Sequence, residues 1–443
     1  TLLASSAASD VYKRQALGDS ASIGFTRGRI SPGANDYARS WYSCDEVAGD
    51  LELRHFNIDR DRQAIIPFIH DAQAFNPGLS FWISPWSPPS WMKINHDYPV
   101  LSSKYNNQSP DLDYLLYSGE GADSVSVDPD EMRLDDPAAR GRLFPKRLAT
   151  TDYFIQDPRY LSAYAEYFCR FIDEYGKEGI PVDMVMYQNE AYSYTPYPGC
   201  AWTADGIIRF NRDYLGPRLR ERHPDVKLYL GTFNTNRLRH VETLLADTAL
   251  LGQIDGMGFQ WEGRDILPEI RRQHPSLSYI CSESECGWGS FDWGAAEHTF
   301  ELINHYLGNG CNEYNIWNVV LSGKGESPWG WKQNALVRID AEKGTHTLTP
   351  EFNAVRHYAW ALRPGSKVLA AVPADYDMAA GAPAERGKGD NTPALAAFTP
   401  AGEYVVMTGN FNDEPRKVTF RIGRKYLNLQ LAPHSFTTVT VTP

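Results

Sequence analysis

Two segments with the composition of buried strands close on glutamates: VDMVMYQNE, ending at Glu190, and LSYICSESE, which offers Glu283 and Glu285. Carboxyl groups carried on the ends of different strands suit hydrolysis of a glycosidic bond. One group protonates the leaving oxygen and the other attacks or supports the anomeric carbon. Asn189 precedes Glu190 and is placed to hydrogen-bond the sugar hydroxyl beside the anomeric centre, where such bonds strengthen in the transition state. Alternation sends Glu283 and Glu285 to the same side if their strand continues, so both stay candidates at this point. Glu283 is nearer the strand body, and Glu285 is a candidate supporting partner.

Composition narrows the substrate. The chain has 443 residues with 12 Trp and 25 Tyr, and a formal net charge of −12. Aromatic faces suit sugar rings, and an acidic chain repels a phosphate backbone, so no nucleic-acid partner is expected. Cysteines at 44, 169, 200, 281, 286 and 311 are too few and scattered for a disulfide framework. Neither they nor the 11 histidines have metal-ligand spacing, so no metal is expected. No apolar run reaches the 18 residues of a membrane span.

Strand-like and helix-like segments must position the glutamates. Strands are expected over 22–30, 79–84, 182–187, 226–232, 255–260, 278–282 and 312–318, separated by helical patterns such as 158–179 and 295–309. Polar or aromatic residues stand at several strand ends: Arg29 and Asp36, Trp86, Asn189 and Glu190, Gln260 and Trp261, Glu283, Trp317 and Asn318, and those other than the two glutamates are candidate substrate contacts. That distribution fits the C-terminal face of a (β/α)8 TIM barrel better than the single switch point of a doubly wound sheet. Seven strands are counted where eight are needed, so the first is expected to be missing. The Ser/Ala-rich stretch 1–15 reads as a foreign or disordered tail, 16–365 as the barrel, and 366–443 as a β-sandwich side domain. Residues 379–392 read as a mobile loop, and 95–152 as an insertion over the substrate end of the barrel. Trp86 or Trp91 in SPWSPPSWMK, and Trp329 and Trp331 in SPWGWKQN, are candidate sugar platforms.

Taken in order, SPWSPPSWMK, QNE, ESECG, IWN with WGWKQN, and ELRHFNIDRD resemble glycoside hydrolase family 30 over roughly 24–365. The resemblance implies a (β/α)8 barrel with a β-sandwich side domain and retaining hydrolysis without metal or cofactor. It implies Glu190 as acid/base on the fourth barrel strand and Glu283, after the hydroxyl residue Ser282, as nucleophile on the seventh. It also implies sugar contacts at Arg29, Asp36, Trp86, Asn189 and Trp317. YPGCAWTADG, YLGPRL and GFQWEG look like the bacterial branch that contains endo-β-1,6-glucanases. The expected partner is therefore a β-glucan, and the expected location secreted or periplasmic. β-Glucosidase, glucosylceramidase-like and β-xylosidase activities are alternatives, and a non-catalytic carbohydrate-binding protein is the rival from another class.

Overall fold

The structure, a computed structural model, describes residues 23–100, 152–193, 195–323, 325–328, 330–369 and 391–442. The tail 1–15, most of the 95–152 insertion, nearly all of the 379–392 loop and Trp329 lie outside the described residues.

Six strands form one sheet in sequence order: β1 (Arg27–Ile30), β2 (Ser80–Ile83), β3 (Val182–Met186), β4 (Lys227–Phe233), β5 (Gly256–Gln260) and β6 (Ser278–Glu283). Every neighbouring pair is parallel. Helices lie in the connections, so the sheet curves as the wall of a TIM barrel. The side chains follow the period of two. Phe81, Ile83, Val185, Tyr279 and Cys281 face the helices. Trp82, Met184, Met186 and Ile280 fill the barrel interior.

The connecting helices carry their own signals. Pro158–Lys177 starts behind Asp157, whose side chain accepts from the Arg159 N–H, and has proline in its first turn. It buries Leu161, Tyr164, Phe168, Ile172 and Tyr175 at three- and four-residue spacing. It ends before Gly179, at φ +74°.

Residues 312–318 differ from the expected strand. They run beside β6 through a single parallel bridge, Cys281 to Tyr314, and a short ladder of backbone bonds. The Trp317 N–H then donates to Ser284 Oγ instead of a sheet carbonyl, which turns the backbone out of the ladder. Among the described residues β1 pairs in the sheet with β2 alone, and this segment bridges β6 alone. Arg27 of β1 meets Glu313 of this segment at 3.2 Å, and Arg29 of β1 meets Glu283 of β6 at 2.7 Å.

A three-stranded sheet not expected from the sequence, β7 (Val320–Ser322), β8 (Val337–Asp340) and β9 (Thr345–Leu348), follows the barrel strands. The β-rich C-terminal part holds a four-stranded antiparallel sheet of β10 (Lys367–Leu369), β11 (Ala394–Phe398), β12 (Tyr404–Asn410) and β15 (Ser435–Val441). Beside it stands the hairpin β13 (Arg416–Ile422) and β14 (Lys425–Leu431). A second core joins this domain to the barrel, with Phe300 and Ile303 packed with Phe352, Val355, Leu395 and Met407. All six cysteines are buried free thiols.

Strands β4 and β5 approach so closely that only glycine fits at 231. Its φ is +146°, and an added Cβ would stand 2.7 Å from the Gly258 carbonyl oxygen. Gly231→Ala should therefore cost roughly 1–3 kcal/mol in urea unfolding. Gly176→Ala, where an added Cβ meets nothing within 4 Å, should be neutral or stabilising. Equal behaviour of the two variants would contradict the close approach.

Candidate active site

The candidate groups that follow β1 to β6 leave the sheet at its C-terminal edge. Glu190 lies four residues beyond β3 in the left-handed region, at φ 47°, and Trp261 follows β5 at φ 49°. Non-glycine residues there cost roughly 1–3 kcal/mol each, strain that persists only where the surroundings hold it. At Glu190 its N–H donates to Thr232 Oγ1 at 3.0 Å, and its carbonyl accepts from the Ser193 N–H at 2.9 Å.

One buried guanidinium ties these groups together. Arg29 Nη1 donates to Glu283 Oε2 at 2.7 Å, and Nη2 donates to Asn189 Oδ1 at 2.7 Å. Nε and Nη2 both reach Ser84 Oγ, at 2.9 and 2.7 Å. Its Cζ lies 4.8 Å from the Trp82 ring centre and 4.3 Å from that of Trp86. The other Glu283 oxygen accepts from Trp261 Nε1 at 3.2 Å.

Gln260 makes the second link. Its Oε1 accepts from Ser282 Oγ at 2.8 Å. Its Nε2 donates to Glu190 Oε1 at 3.1 Å and reaches Asn189 Oδ1 at 3.3 Å. The residue before Glu283 is thereby tied to Glu190 through one fully buried amide.

Glu285 goes elsewhere. It pairs with Arg264 and accepts from His298 Nε2 at 2.8 Å. Strand β6 ends at Glu283, so alternation no longer governs the next residues.

Asp36, Trp86, Asn189, Glu190, Trp261, Glu283 and Trp317 line one cleft. Three expected sugar contacts do not. Arg29 and Gln260 stand behind the wall with their donors used on protein groups, and Asn318 donates to Gln333 Oε1 at 2.7 Å. Trp91 is buried against the helices and gives its indole N–H to the Asp45 carbonyl. Tyr197, Cys286 and Gln333 line the cleft without having been singled out. Gln333 had a signal, since WKQN carries an amide beside the expected aromatics. Its Oε1 accepts from Trp317 Nε1 at 2.9 Å, and its Nε2 faces Asp36 Oδ2 at 3.4 Å. Among the described residues no group of three or more His, Cys, Asp and Glu side chains could hold a metal ion.

Burial dominates the electrostatics. It pushes Glu283 up to about 7, with the Arg29 guanidinium pulling down and the Glu190 carboxyl pushing further up. Burial, then the Glu283 charge, raises Asp36 to about 8, and its Oδ1 has no hydrogen-bond partner.

A family model described as the glycosyl hydrolase family 30 TIM-barrel domain matches residues 2–109 and 154–362, beginning inside the Ser/Ala-rich N-terminal stretch. "Putative glucosylceramidase 1" of Caenorhabditis elegans is 25% identical over 379 residues, covering 81% of this chain and 63% of that protein. The endo-1,6-β-D-glucanase of Neurospora crassa is 22% identical over 346 residues, covering 74% and 60%. The chain thus spans less than two thirds of either relative. The solved structure of the endo-β1,6-glucanase BT3312 superposes with a TM-score of 0.74 at 19% identity, covering 98% of this chain and 86% of that one. No helix among the described residues is long and apolar enough to cross a membrane.

The Asp36 shift has a consequence for stability. Its folded value lies above the ordinary 3.8 of the unfolded chain, so its contribution is fully present below the unfolded value and is lost as pH rises through about 8. Asp36→Asn should melt higher than the parent at pH 8 in scanning calorimetry, with the gap shrinking toward pH 4. A gap independent of pH would contradict the buried, protonated aspartic acid.

Proposed function

The chain belongs to glycosyl hydrolase family 30, and from that premise we propose that it cleaves a β-linked glucan, a β-1,6-glucan in the first instance, with retention of configuration. The observation that carries this reading is the pairing of Glu190 and Glu283 through Arg29, Asn189 and Gln260 on the cleft wall. The choice of linkage rests on the 1,6-glucanase relative and structural neighbour, together with the GFQWEG and YPGCAWTADG segments.

Both Glu283 oxygens accept hydrogen bonds, one from a guanidinium, which favours the ionised form against the burial that opposes it, and in that form the group attacks the anomeric carbon. Glu190, steadied by the neutral Gln260 amide, is the proton donor to the leaving oxygen. As the bond to that oxygen breaks, the bond from Glu283 to carbon forms, giving a glycosyl-enzyme. Glu190, now ionised, takes a proton from the water that releases the sugar. Trp86 and Trp317, with ring centres 5.4 Å apart, give the sugar an apolar wall. No step calls for a metal or cofactor. A polymeric glucan does not cross a bilayer, so the proposal places the enzyme in the periplasm or outside the cell.

Glu283→Gln should abolish release of reducing sugar from linear β-1,6-glucan while leaving the melting transition cooperative. Glu190→Ala should lose far less activity on an aryl glycoside with a good leaving group than on the glucan, because only the latter needs the proton. Full activity of the folded Glu283→Gln variant would sink the assignment. A parent active on another β-glycan alone would replace the linkage and keep the chemistry. Because attack needs Glu283 ionised, kcat/KM should fall as pH drops through about 7. A flat profile from pH 5 to 8 would contradict the role given to its burial.

A further inference from the structure

Trp288 is the most exposed tryptophan among the described residues, at 54%. A single exposed aromatic is ordinary on a protein surface. This one differs in what it continues. Its ring centre lies 5.3 Å from that of Trp331, and Trp331 lies 5.8 Å from Trp261. Trp261 in turn gives its indole N–H to Glu283. Three indoles therefore run from the proposed nucleophile, along the cleft wall that Trp261 and Trp331 form, to open solvent.

The turn that carries Trp288 is fixed. Gly287 and Gly289 flank it at φ 58° and 75°, a region that disfavours side chains. The Asn334 N–H donates to the Cys286 carbonyl at 2.6 Å, pinning the turn to the loop that bears Trp331. Other exposed tryptophans lack this context. Trp293 stacks on Phe436 of the β domain at 5.0 Å, and Trp360 lies on the helix Pro350–Ala361.

We propose that Trp288 is the outer platform of a further sugar subsite, on which a glucose residue beyond the one between the carboxylates stacks. The C–H faces of a β-linked glucose match the electron-rich face of an indole. A platform on a fixed turn loses little conformational freedom on binding. The proposal rests on the reading of the chain as a glycan hydrolase and adds that it grips a chain longer than its cleavage site. That places Trp288 among the groups that favour polymer over short substrates.

The test compares parent, Trp288→Ala and Trp288→Phe on linear β-1,6-glucan and on the shortest β-1,6-oligosaccharide that the parent cleaves. Trp288→Ala should lose roughly tenfold more kcat/KM on the polymer than on the oligosaccharide, chiefly through KM, and Trp288→Phe should recover most of it. Equal losses on both substrates, or none on either, would overturn the platform. Binding is read separately, by retardation in gels containing the glucan, with Glu283→Gln and Glu283→Gln/Trp288→Ala. Retardation that disappears with Trp288 supports the subsite even if hydrolysis fails, whereas equal retardation, or none, overturns it. Failure of the proposed activity shows instead as a parent that binds glucan without cleaving it.

Discussion

The guanidinium of Arg29 is the constraint on which the rest of the site depends. It leaves β1 and meets Ser84 beyond β2, Asn189 beyond β3 and Glu283 at the end of β6. Four strand ends, far apart in sequence, are thereby held to one planar group. Removing a charge from water costs several kcal/mol, and burial pulls Arg29 below its usual range while Glu283 and Glu190 oppose that pull. A planar ion with fixed donor directions accepts only one arrangement of these partners, whereas a lysine ammonium could shift among several. The geometry of the carboxylates therefore follows from satisfying one buried cation.

Gln260 complements that clamp without adding charge. Its amide oxygen takes a hydrogen bond from the residue preceding Glu283, and its amide nitrogen serves Glu190 and Asn189. A neutral linker leaves the two carboxyls to differ through Arg29, which touches only one of them. That asymmetry gives the carboxyl proposed to attack a cationic partner and the carboxyl proposed to donate a neutral one. The aromatic residues sharpen it, because Trp86, Trp261 and Trp317 keep water from the same carboxyls that a sugar must reach. The cleft is thus apolar in shape and costly in charge, and Asp36 near 8 and Glu283 near 7 register that cost.

Much of the scaffold was legible because barrel strands and connecting helices have distinct periods. The segments expected at 79–84, 182–187, 226–232, 255–260 and 278–282 appear as strands within a residue or two. The β-rich elements β10 to β15 fall within the stretch expected as a β-sandwich, 366–443. Where the reading slipped, a tertiary contact had replaced a local rule. Residues 312–318 have strand composition, yet the Trp317 N–H turns to Ser284 Oγ. β14, polar and alternating in KYLNLQL, carries little apolar signal of its own, and pairing with β13 holds it in place.

The sequence by itself determined which residue types stood at strand ends, and so the chemistry open to this chain: two glutamates, an asparagine beside one of them, and many tryptophans. Residue by residue it kept both Glu283 and Glu285 open, with the family resemblance favouring Glu283, and it offered Arg29, Gln260 and Asn318 as sugar contacts. What each of them meets is visible only in the tertiary structure. Glu285 pairs with Arg264 and His298, while Glu283 meets Arg29. Gln260 spends its amide on neighbouring side chains. The reason is physical: a strand's period fixes which way a side chain leaves the backbone, whereas what it meets is set by groups brought together from opposite sides of the barrel.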